Sequence, residues 1–263
     1  MISLEPTIDK KIFEKYDLLP LYPSRINSWR DFPCGFVLKY IYGYDFATNP
    51  KMHRGTSIEL GIHYMFSHEK TIDEGLEKAL SVYDDMAKWF KDQDSAMKER
   101  ELLGAYFMNS IDYLEPYRRY YASYQMEINT KILGIPFSGK TDFIFKDGDK
   151  YKVIDLKTKS RLDKRHSDFI QQAIYKKGML ETVAPENLSV QMLIATPKKY
   201  EVIKIDDISD YMKEIEMSLI SMANLFKICK SKENFASIVT PNLGDWHWYD
   251  EDQINARKEI WGV

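Results

Sequence analysis

The spacing of apolar and polar positions divides the chain into a helical first part and a strand-rich second part. Residues 54–68 carry Ile58, Ile62 and Met65 at helical spacing. Similar patterns predict helices at 24–42 (two short ones broken near Pro33), 71–93 and 97–121. After this point apolar and polar residues alternate as they do in strands. The remaining predicted elements are strands at 123–133, 136–146 and 151–158, a helix at 167–182, strands at 189–196 and 200–205, and a helix at 207–231, before an irregular tail with Trp246, Trp248 and Trp261.

This order of elements predicts an α/β (α+β) fold, in which a mixed β-sheet is flanked by helices and follows a helical N-terminal part. The sequence shows no abrupt change in composition and no linker rich in Ser, Gly or Pro. We therefore expect one domain over residues 1–263, with a mainly helical part at 1–121, the sheet and its helix at 122–205, and a C-terminal helix and tail at 206–263.

Two of the predicted strands carry charges in the middle of apolar runs. The stretch GKTDFIF contains Asp142, and the stretch VIDLKTK contains Asp155 and Lys157. Burying a charged group costs several kcal/mol unless it is paired or bound to a ligand. If these strands are buried, Asp142, Asp155 and Lys157 must therefore be paired with one another or bound to a ligand.

The turn between these strands, KDGDK, decides whether the charges meet. With Asp147-Gly148 as the loop, Asp142 lies opposite Val153; with Gly148-Asp149 as the loop, it lies opposite Asp155. Both registers place the three charged residues on one face, whereas a three-residue loop would separate them.

Two converging carboxylates repel each other unless a cation lies between them. Oxygen ligands of this kind suit Mg²⁺ or Mn²⁺, and a nearby lysine can contact a phosphate. Taken alone, an Asp-x-Lys strand is more often a solvent-facing pair of surface charges.

The wider pattern resembles the RecB-like branch of the PD-(D/E)xK nucleases. In that pattern Asp142 matches the lone acidic residue of the second motif, and Asp155 and Lys157 match the D/E-x-K strand. Gln171 and Tyr175 match the Q-x-x-x-Y helix that this branch adds. The resemblance covers about residues 24–175.

Upstream, GTSIE resembles the G-T-x-x-H motif in the form that ends in Glu. This match makes Glu59 a further candidate residue of the site. The resemblance implies metal-assisted hydrolysis of DNA phosphodiesters with one or two Mg²⁺ or Mn²⁺ ions. Glu59, Asp142, Asp155 and the backbone carbonyl of Leu156 are then the expected ligands, and Lys157 stabilises developing charge or positions the attacking hydroxide.

Other residues are candidates for substrate contacts. Gln171 and Tyr175 lie on one helix face, where they either contact DNA or brace the strands of the site. Arg54 precedes the first motif and is a candidate phosphate contact. His63, four residues after Glu59, is a weaker candidate metal ligand.

A local basic patch surrounds the predicted hairpin and the loop after it, although the formal net charge is −3. Such a patch suits a DNA track, but a solvated run of charges explains it almost as well. Its members are Lys140, Lys159, Arg161, Lys164 and Arg165.

Cysteine content separates this chain from relatives that hold an iron–sulfur cluster, because Cys34 and Cys229 are its only cysteines and a cluster needs four. We expect no such cluster, and the chain is similar to small phage exonucleases that act on DNA ends in recombination or DNA degradation. A structure-specific or nicking endonuclease and an inactive DNA-binding protein are the alternatives.

The expected partners are DNA, a recombination or single-strand-binding protein, and further copies of the chain in a ring. A signal peptide and a membrane-spanning segment are not predicted, so we expect a cytoplasmic protein without a membrane partner. The sequence also lacks a G-x-x-x-x-G-K-[ST] phosphate loop, so any ATP-driven activity would come from a partner.

Overall fold

The computed structural model describes residues 7–46, 49–245, 247–248 and 251–263, and the helices dominate its first part. Helix α4 begins after Asn49, whose side chain accepts a hydrogen bond from Met52 N, and α5 begins with a reciprocal capping box between Thr71 and Glu74. The helices before the sheet are α1 (Lys11–Glu14), α2 (Pro23–Asp31), α3 (Pro33–Phe36) with a π-helical extension (Val37–Tyr42), α4 (Pro50–Ser67), α5 (Ile72–Ala87) and α6 (Gln93–Leu114), which ends in a 3₁₀ segment (Glu115–Tyr120).

The strands and the later helices follow in the predicted order. They are β1 (Tyr121–Ile132), β2 (Ile135–Asp147), β3 (Lys150–Thr158), α7 (His166–Met179), a 3₁₀ turn (Pro185–Asn187), β4 (Leu188–Ala195), β5 (Tyr200–Lys204), α8 (Ser209–Ile228), α9 (Lys232–Ile238) and α10 (Glu251–Trp261). The predicted α+β class and helical N-terminal part are therefore confirmed.

The C-terminal tail differs from the prediction. Residues predicted to be irregular form α9 and α10, and Trp261 ends the second of these helices. Trp261 Nε1 donates to Ala236 O and Val239 O, both at 2.9 Å, so packing against α9 stabilises α10. Trp246 lies outside the described residues.

The described strands form one five-stranded sheet in the order β1-β2-β3-β4-β5. Strand β3 runs parallel to β4, with α7 as the crossover between them, while the other neighbouring strands are antiparallel. The carboxyl ends of β3 and β4 therefore lie at the same edge of the sheet.

Two layers of helices cover the sheet. Helices α4, α5 and α6 pack against one face, where Phe143, Ile154 and Leu156 are buried. Helix α7 packs against the other face, where Ile144 and Val153 lie in one apolar cluster with Tyr175. Since both faces are covered, charges within β2 and β3 are shielded from water except near the ends of the strands.

Within the described part of the chain, no helix combines the length and the apolar character that a membrane crossing requires.

Candidate active site

The site lies where β2 and β3 separate. Asp147 pairs with Lys150, so Gly148 and Asp149 form the loop, and the pairing runs as far as Phe143 opposite Ile154. This is the register that brings Asp142 next to Asp155. Beyond that point Asp142 Oδ2 accepts a hydrogen bond from Leu156 N at 2.7 Å. A side-chain oxygen of β2 thus replaces a backbone carbonyl as the acceptor for β3.

The segment before α2 occupies the edge of β2 that β3 leaves. Leu21 N donates to Pro136 O and Ser138 N donates to Leu21 O, each at 2.9 Å. This short parallel bridge satisfies backbone groups that would otherwise lie unpaired where β2 and β3 separate. The separation of β2 and β3, called the fork below, is thus stabilised by hydrogen bonds from a third segment.

Asp155 and Lys157 form a buried ion pair on β3. The Asp155 side chain is fully buried, and its Oδ2 lies 2.7 Å from Lys157 Nζ, whose side chain is 22% exposed. Burial alone lowers the pKa of Lys157, but the charges of Asp155 and Asp142 outweigh it and raise that pKa above its ordinary value. Lys157 is therefore positively charged at neutral pH.

Gln171 on α7 connects this ion pair to Tyr175. Its Nε2 donates to Asp155 Oδ1 at 3.2 Å and to Tyr175 Oη at 2.9 Å, while Lys157 Nζ donates to its Oε1 at 3.2 Å. One amide thus orients a carboxylate, an ammonium and a phenol. These contacts support the bracing role more directly than a contact with DNA, because Tyr175 is only 4% exposed.

Glu59 approaches from α4, on the other side of the sheet from α7. Its Oε2 accepts a hydrogen bond from Tyr124 Oη at 3.3 Å. Burial, followed by repulsion from Asp155, raises the pKa of Glu59 to about 7, although Lys157 acts in the opposite direction. Glu59 and Asp155 therefore interact electrostatically across the end of the sheet.

Asp142 is the third member of this acidic group. Burial and the negative charges of Glu59 and Asp155 raise its pKa well above the ordinary value, against the opposing effects of Lys157 and the Leu156 N–H. Glu59 and Asp142 both lie near other negative charges, and a bound cation would relieve this electrostatic repulsion.

The carboxylate oxygens of Glu59, Asp142 and Asp155 are suitable ligands for a hard divalent cation, but the three side chains are not close enough to bind one ion together. Among the described residues, no three Asp, Glu, His or Cys side chains lie close enough together to hold a metal ion. However, Asp155 Oδ2 is buried and receives no hydrogen bond of acceptable geometry, although Lys157 lies next to it. A cation would satisfy this oxygen and offset the repulsion among the carboxylates.

Arg54 on α4 has buried partners of its own. It is 3% exposed, forms an ion pair with Glu99 on α6, and its Nη2 donates to Thr158 O at 2.9 Å. Its guanidinium also lies 3.9 Å from the centre of the Tyr106 ring. Instead of an exposed phosphate contact, the structure shows a link between α4, α6 and the end of β3.

His63 also has a structural partner. Its Nδ1 lies 2.6 Å from Tyr121 Oη, and its ring stacks on Tyr124 at a centroid distance of 4.7 Å. Burial lowers the pKa of this imidazole. The geometry supports a role in holding Tyr124, and through it Glu59, more than a role as a metal ligand.

Sequence reasoning missed Gly139, which lies in the stretch GKTD. A Cβ added there would lie 2.6 Å from Cε1 of Tyr175 and 3.4 Å from Pro23 Cδ. The missing side chain therefore lets the Tyr175 ring pack directly on β2, close to Asp142. Tyr124, which hydrogen-bonds Glu59, was also missed, because its aromatic neighbours made it resemble an ordinary packing residue.

The pKa of Glu59 predicts how stability depends on pH without metal. The folded pKa of about 7 lies above the ordinary value of 4.5, so protonation stabilises the folded state, and this contribution disappears as the pH rises from about 4.5 to about 7. Its size is on the order of 3 kcal/mol. Urea unfolding in EDTA at several pH values should therefore show a steeper loss of stability for the wild type than for Glu59→Gln. Parallel pH profiles would contradict this assignment.

Comparison with known proteins agrees with the geometry. The model of the PD-(D/E)XK nuclease superfamily matches residues 20–228. No curated protein matches the sequence. Among solved structures, the "Putative exonuclease" from Eubacterium rectale is 15% identical, with 89% of this chain and 87% of that chain covered and a TM-score of 0.57. The protein named SSO0001 is 13% identical, with 88% and 92% covered and a TM-score of 0.37. The family match spans most of the chain and includes the fork, the Asp155–Lys157 strand and α7, and the chain therefore belongs to the PD-(D/E)XK nuclease superfamily.

Proposed function

We propose that this protein is a divalent-metal-dependent deoxyribonuclease that removes nucleotides from DNA ends. The observation that carries the proposal is the buried Asp155–Lys157 pair, which lies beside Asp142 at the fork and interacts electrostatically with Glu59. A surface pair of charges would be exposed, whereas Asp155 is fully buried. Burial of this charge is costly in a protein that has no use for it.

The proposed cofactor is Mg²⁺ or Mn²⁺, as one or two ions. Glu59, Asp142, Asp155 and the carbonyl of Leu156 would hold it, since all of them offer oxygen ligands. When bound, such an ion lowers the pKa of a coordinated water and neutralises charge on the phosphate. We propose no iron–sulfur cluster, because the chain has two cysteines.

The side chains around the ion pair have distinct roles in this proposal. Lys157 stays protonated and so supplies a positive charge that stabilises the pentavalent phosphate or holds the attacking hydroxide. Gln171 fixes the position of Lys157 Nζ and of Asp155 Oδ1 together, so that the cation and the carboxylate keep one spacing. Tyr175 in turn fixes Gln171.

Gln171 and Tyr175 also support the assignment to the RecB-like branch, because they join the Q-x-x-x-Y helix to the ion pair. We further propose a stand-alone, phage-type enzyme of recombination or DNA degradation, located in the cytoplasm. A recombination or single-strand-binding protein and a ring of identical subunits are the proposed partners.

One experiment tests the activity and its alternatives. Linear duplex DNA, labelled at the 5′ ends in one sample and at the 3′ ends in another, and a covalently closed circle are incubated with Mg²⁺ or EDTA, using the wild type and Lys157→Ala. We expect loss of the linear DNA from its ends, an intact circle, no reaction in EDTA, and a strongly reduced rate with the variant. The label that leaves first gives the polarity.

The other outcomes each select an alternative. Cutting of the closed circle would replace the exonuclease by a nicking or structure-specific endonuclease. If folded protein shows no Mg²⁺-dependent loss of either DNA but binds DNA, it is an inactive DNA-binding protein on this fold.

A further inference from the structure

Most of the predicted basic patch is neutralised by acidic partners. Three of its members form ion pairs: Lys159–Asp168 at 2.6 Å, Lys164–Glu201 at 2.6 Å and Arg165–Asp163 at 3.4 Å. Arg161, in the same loop, is exposed and forms no ion pair within the part of the chain that the structure describes. The loop after β3 therefore contributes less free positive charge than the sequence indicated.

Two further cations lie in the turn between β4 and β5, which the sequence analysis did not single out. Lys198 and Lys199 are both exposed, and neither has an acidic partner within 4.0 Å among the residues described. Two adjacent lysines without counter-charges repel each other, so a nearby anion would stabilise this arrangement.

Hydrogen bonds hold this lysine turn in place. Thr196 is 4% exposed, and its Oγ1 accepts from Lys199 N at 3.1 Å and donates to Lys199 O at 2.7 Å. Asn109 Nδ2 on α6 donates to Thr196 O at 2.8 Å. The turn is thus ordered before any ligand binds, which lowers the entropic cost of binding.

The lysine turn lies at the same edge of the sheet as the candidate active site. Lys157 pairs with Ile194 and Thr158 pairs with Ala195, while Lys159 N donates to Ala195 O at 2.9 Å. Thr196 is therefore two residues beyond the level of Lys157, or about 7 Å along the strand direction. Ligands of open α/β sheets bind beyond the carboxyl ends of the strands, which is where this turn projects.

We propose that Lys198 and Lys199, together with Arg161, form a phosphate clamp that holds the DNA backbone next to the cleavage site. The inference rests on the proposed function, because it assumes that DNA enters at Lys157. Arg161 belongs to the loop that follows β3, and Lys198 and Lys199 belong to the turn that follows β4, so these residues lie beyond the same edge of the sheet. They contact phosphates and not bases, so they contribute affinity and register without sequence preference.

The test uses the salt dependence of DNA binding. Binding of a fluorescein-labelled duplex is measured by anisotropy in EDTA over a series of KCl concentrations, so that no strand is cut. Each lost phosphate contact lowers the slope of log K against log salt by about 0.9. The double variant Lys198→Ala/Lys199→Ala should therefore bind more weakly than the wild type, with a slope smaller by about 1.8.

Two control variants separate a local contact from a change in net charge. Lys146→Ala/Lys150→Ala removes two exposed lysines from the hairpin at the opposite end of β3, and its slope should equal that of the wild type. Lys198→Arg/Lys199→Arg keeps both charges and should keep the slope. Circular dichroism establishes that each variant is folded.

Three results would overturn the clamp. An unchanged slope for the double alanine variant, with a wild type that binds and cleaves DNA, rejects the clamp and leaves the nuclease in place. An equal decrease of the slope in Lys146→Ala/Lys150→Ala shows that net charge, and not a local phosphate contact, determines the salt dependence. A wild type that neither binds nor cleaves DNA rejects the clamp and the proposed function together.

Discussion

Replacing Lys157 by alanine should lower the rate of DNA hydrolysis by about 10²- to 10³-fold, with a much smaller effect on DNA affinity. The loss of one group that stabilises charge in a transition state commonly has this size, and such groups act more strongly when shielded from water. Lys157 is largely buried and stays charged because two carboxylates surround it. Single-turnover cleavage of labelled DNA in saturating Mg²⁺ measures the chemical step directly.

The matched control is Lys152→Ala on the same strand. Lys152 lies five positions earlier, so it projects from the opposite face of β3, with its Nζ 3.4 Å from the centre of the Tyr117 ring. Its removal should leave the cleavage rate within about threefold of the wild type, the range of a surface substitution. A Lys157→Ala enzyme that is folded and equally fast would remove Lys157 from the mechanism.

Periodicity made the centre of the site predictable. Residues two apart on a strand share a face, so Asp155 and Lys157 had to lie together, and either two-residue loop places Asp142 on that face as well. Residues four apart on a helix share a face, which placed Gln171 with Tyr175. The structure brings all five into one network with the Leu156 N–H.

The choice of register could not be made from the sequence. Asp147-Gly148-Asp149 offers two loops with the same parity, and local turn chemistry favours neither strongly. The structure selects Gly148-Asp149, with Gly148 at a φ of +57°, a conformation that glycine adopts without strain. The position of Asp142 opposite Asp155 follows from this choice.

Partners that are distant in sequence explain the remaining differences. The ion pair of Lys164 depends on Glu201 in β5, and the packing of α10 depends on Trp261 reaching α9. Neither contact leaves a periodic pattern in the chain. The lysine turn was overlooked for a similar reason, because its proximity to Lys157 arises only from the parallel pairing of β3 with β4.

Arg54 gives the second large effect, and it distinguishes a structural role from a role in binding phosphate. Arg54→Ala should lower the free energy of unfolding by about 3–5 kcal/mol, because it leaves Glu99 as a buried charge without its partner. The exposed pair Arg100–Asp84, which connects α5 to α6, is the control. Arg100→Ala should cost no more than about 1 kcal/mol.

The choice between the two roles follows from a third variant and a second measurement. Arg54→Met/Glu99→Leu removes both charges and keeps most of the apolar volume, so it should recover much of the stability that Arg54→Ala loses. If Arg54 links α4 to α6 and to Thr158, this double variant should still bind DNA with the salt dependence of the wild type. If Arg54 instead contacts a phosphate, Arg54→Ala would unfold at nearly the wild-type urea concentration, and the slope of DNA binding against salt would fall by about 0.9 in both variants. Since 3% exposure leaves the guanidinium almost no surface for a phosphate, we expect the first result.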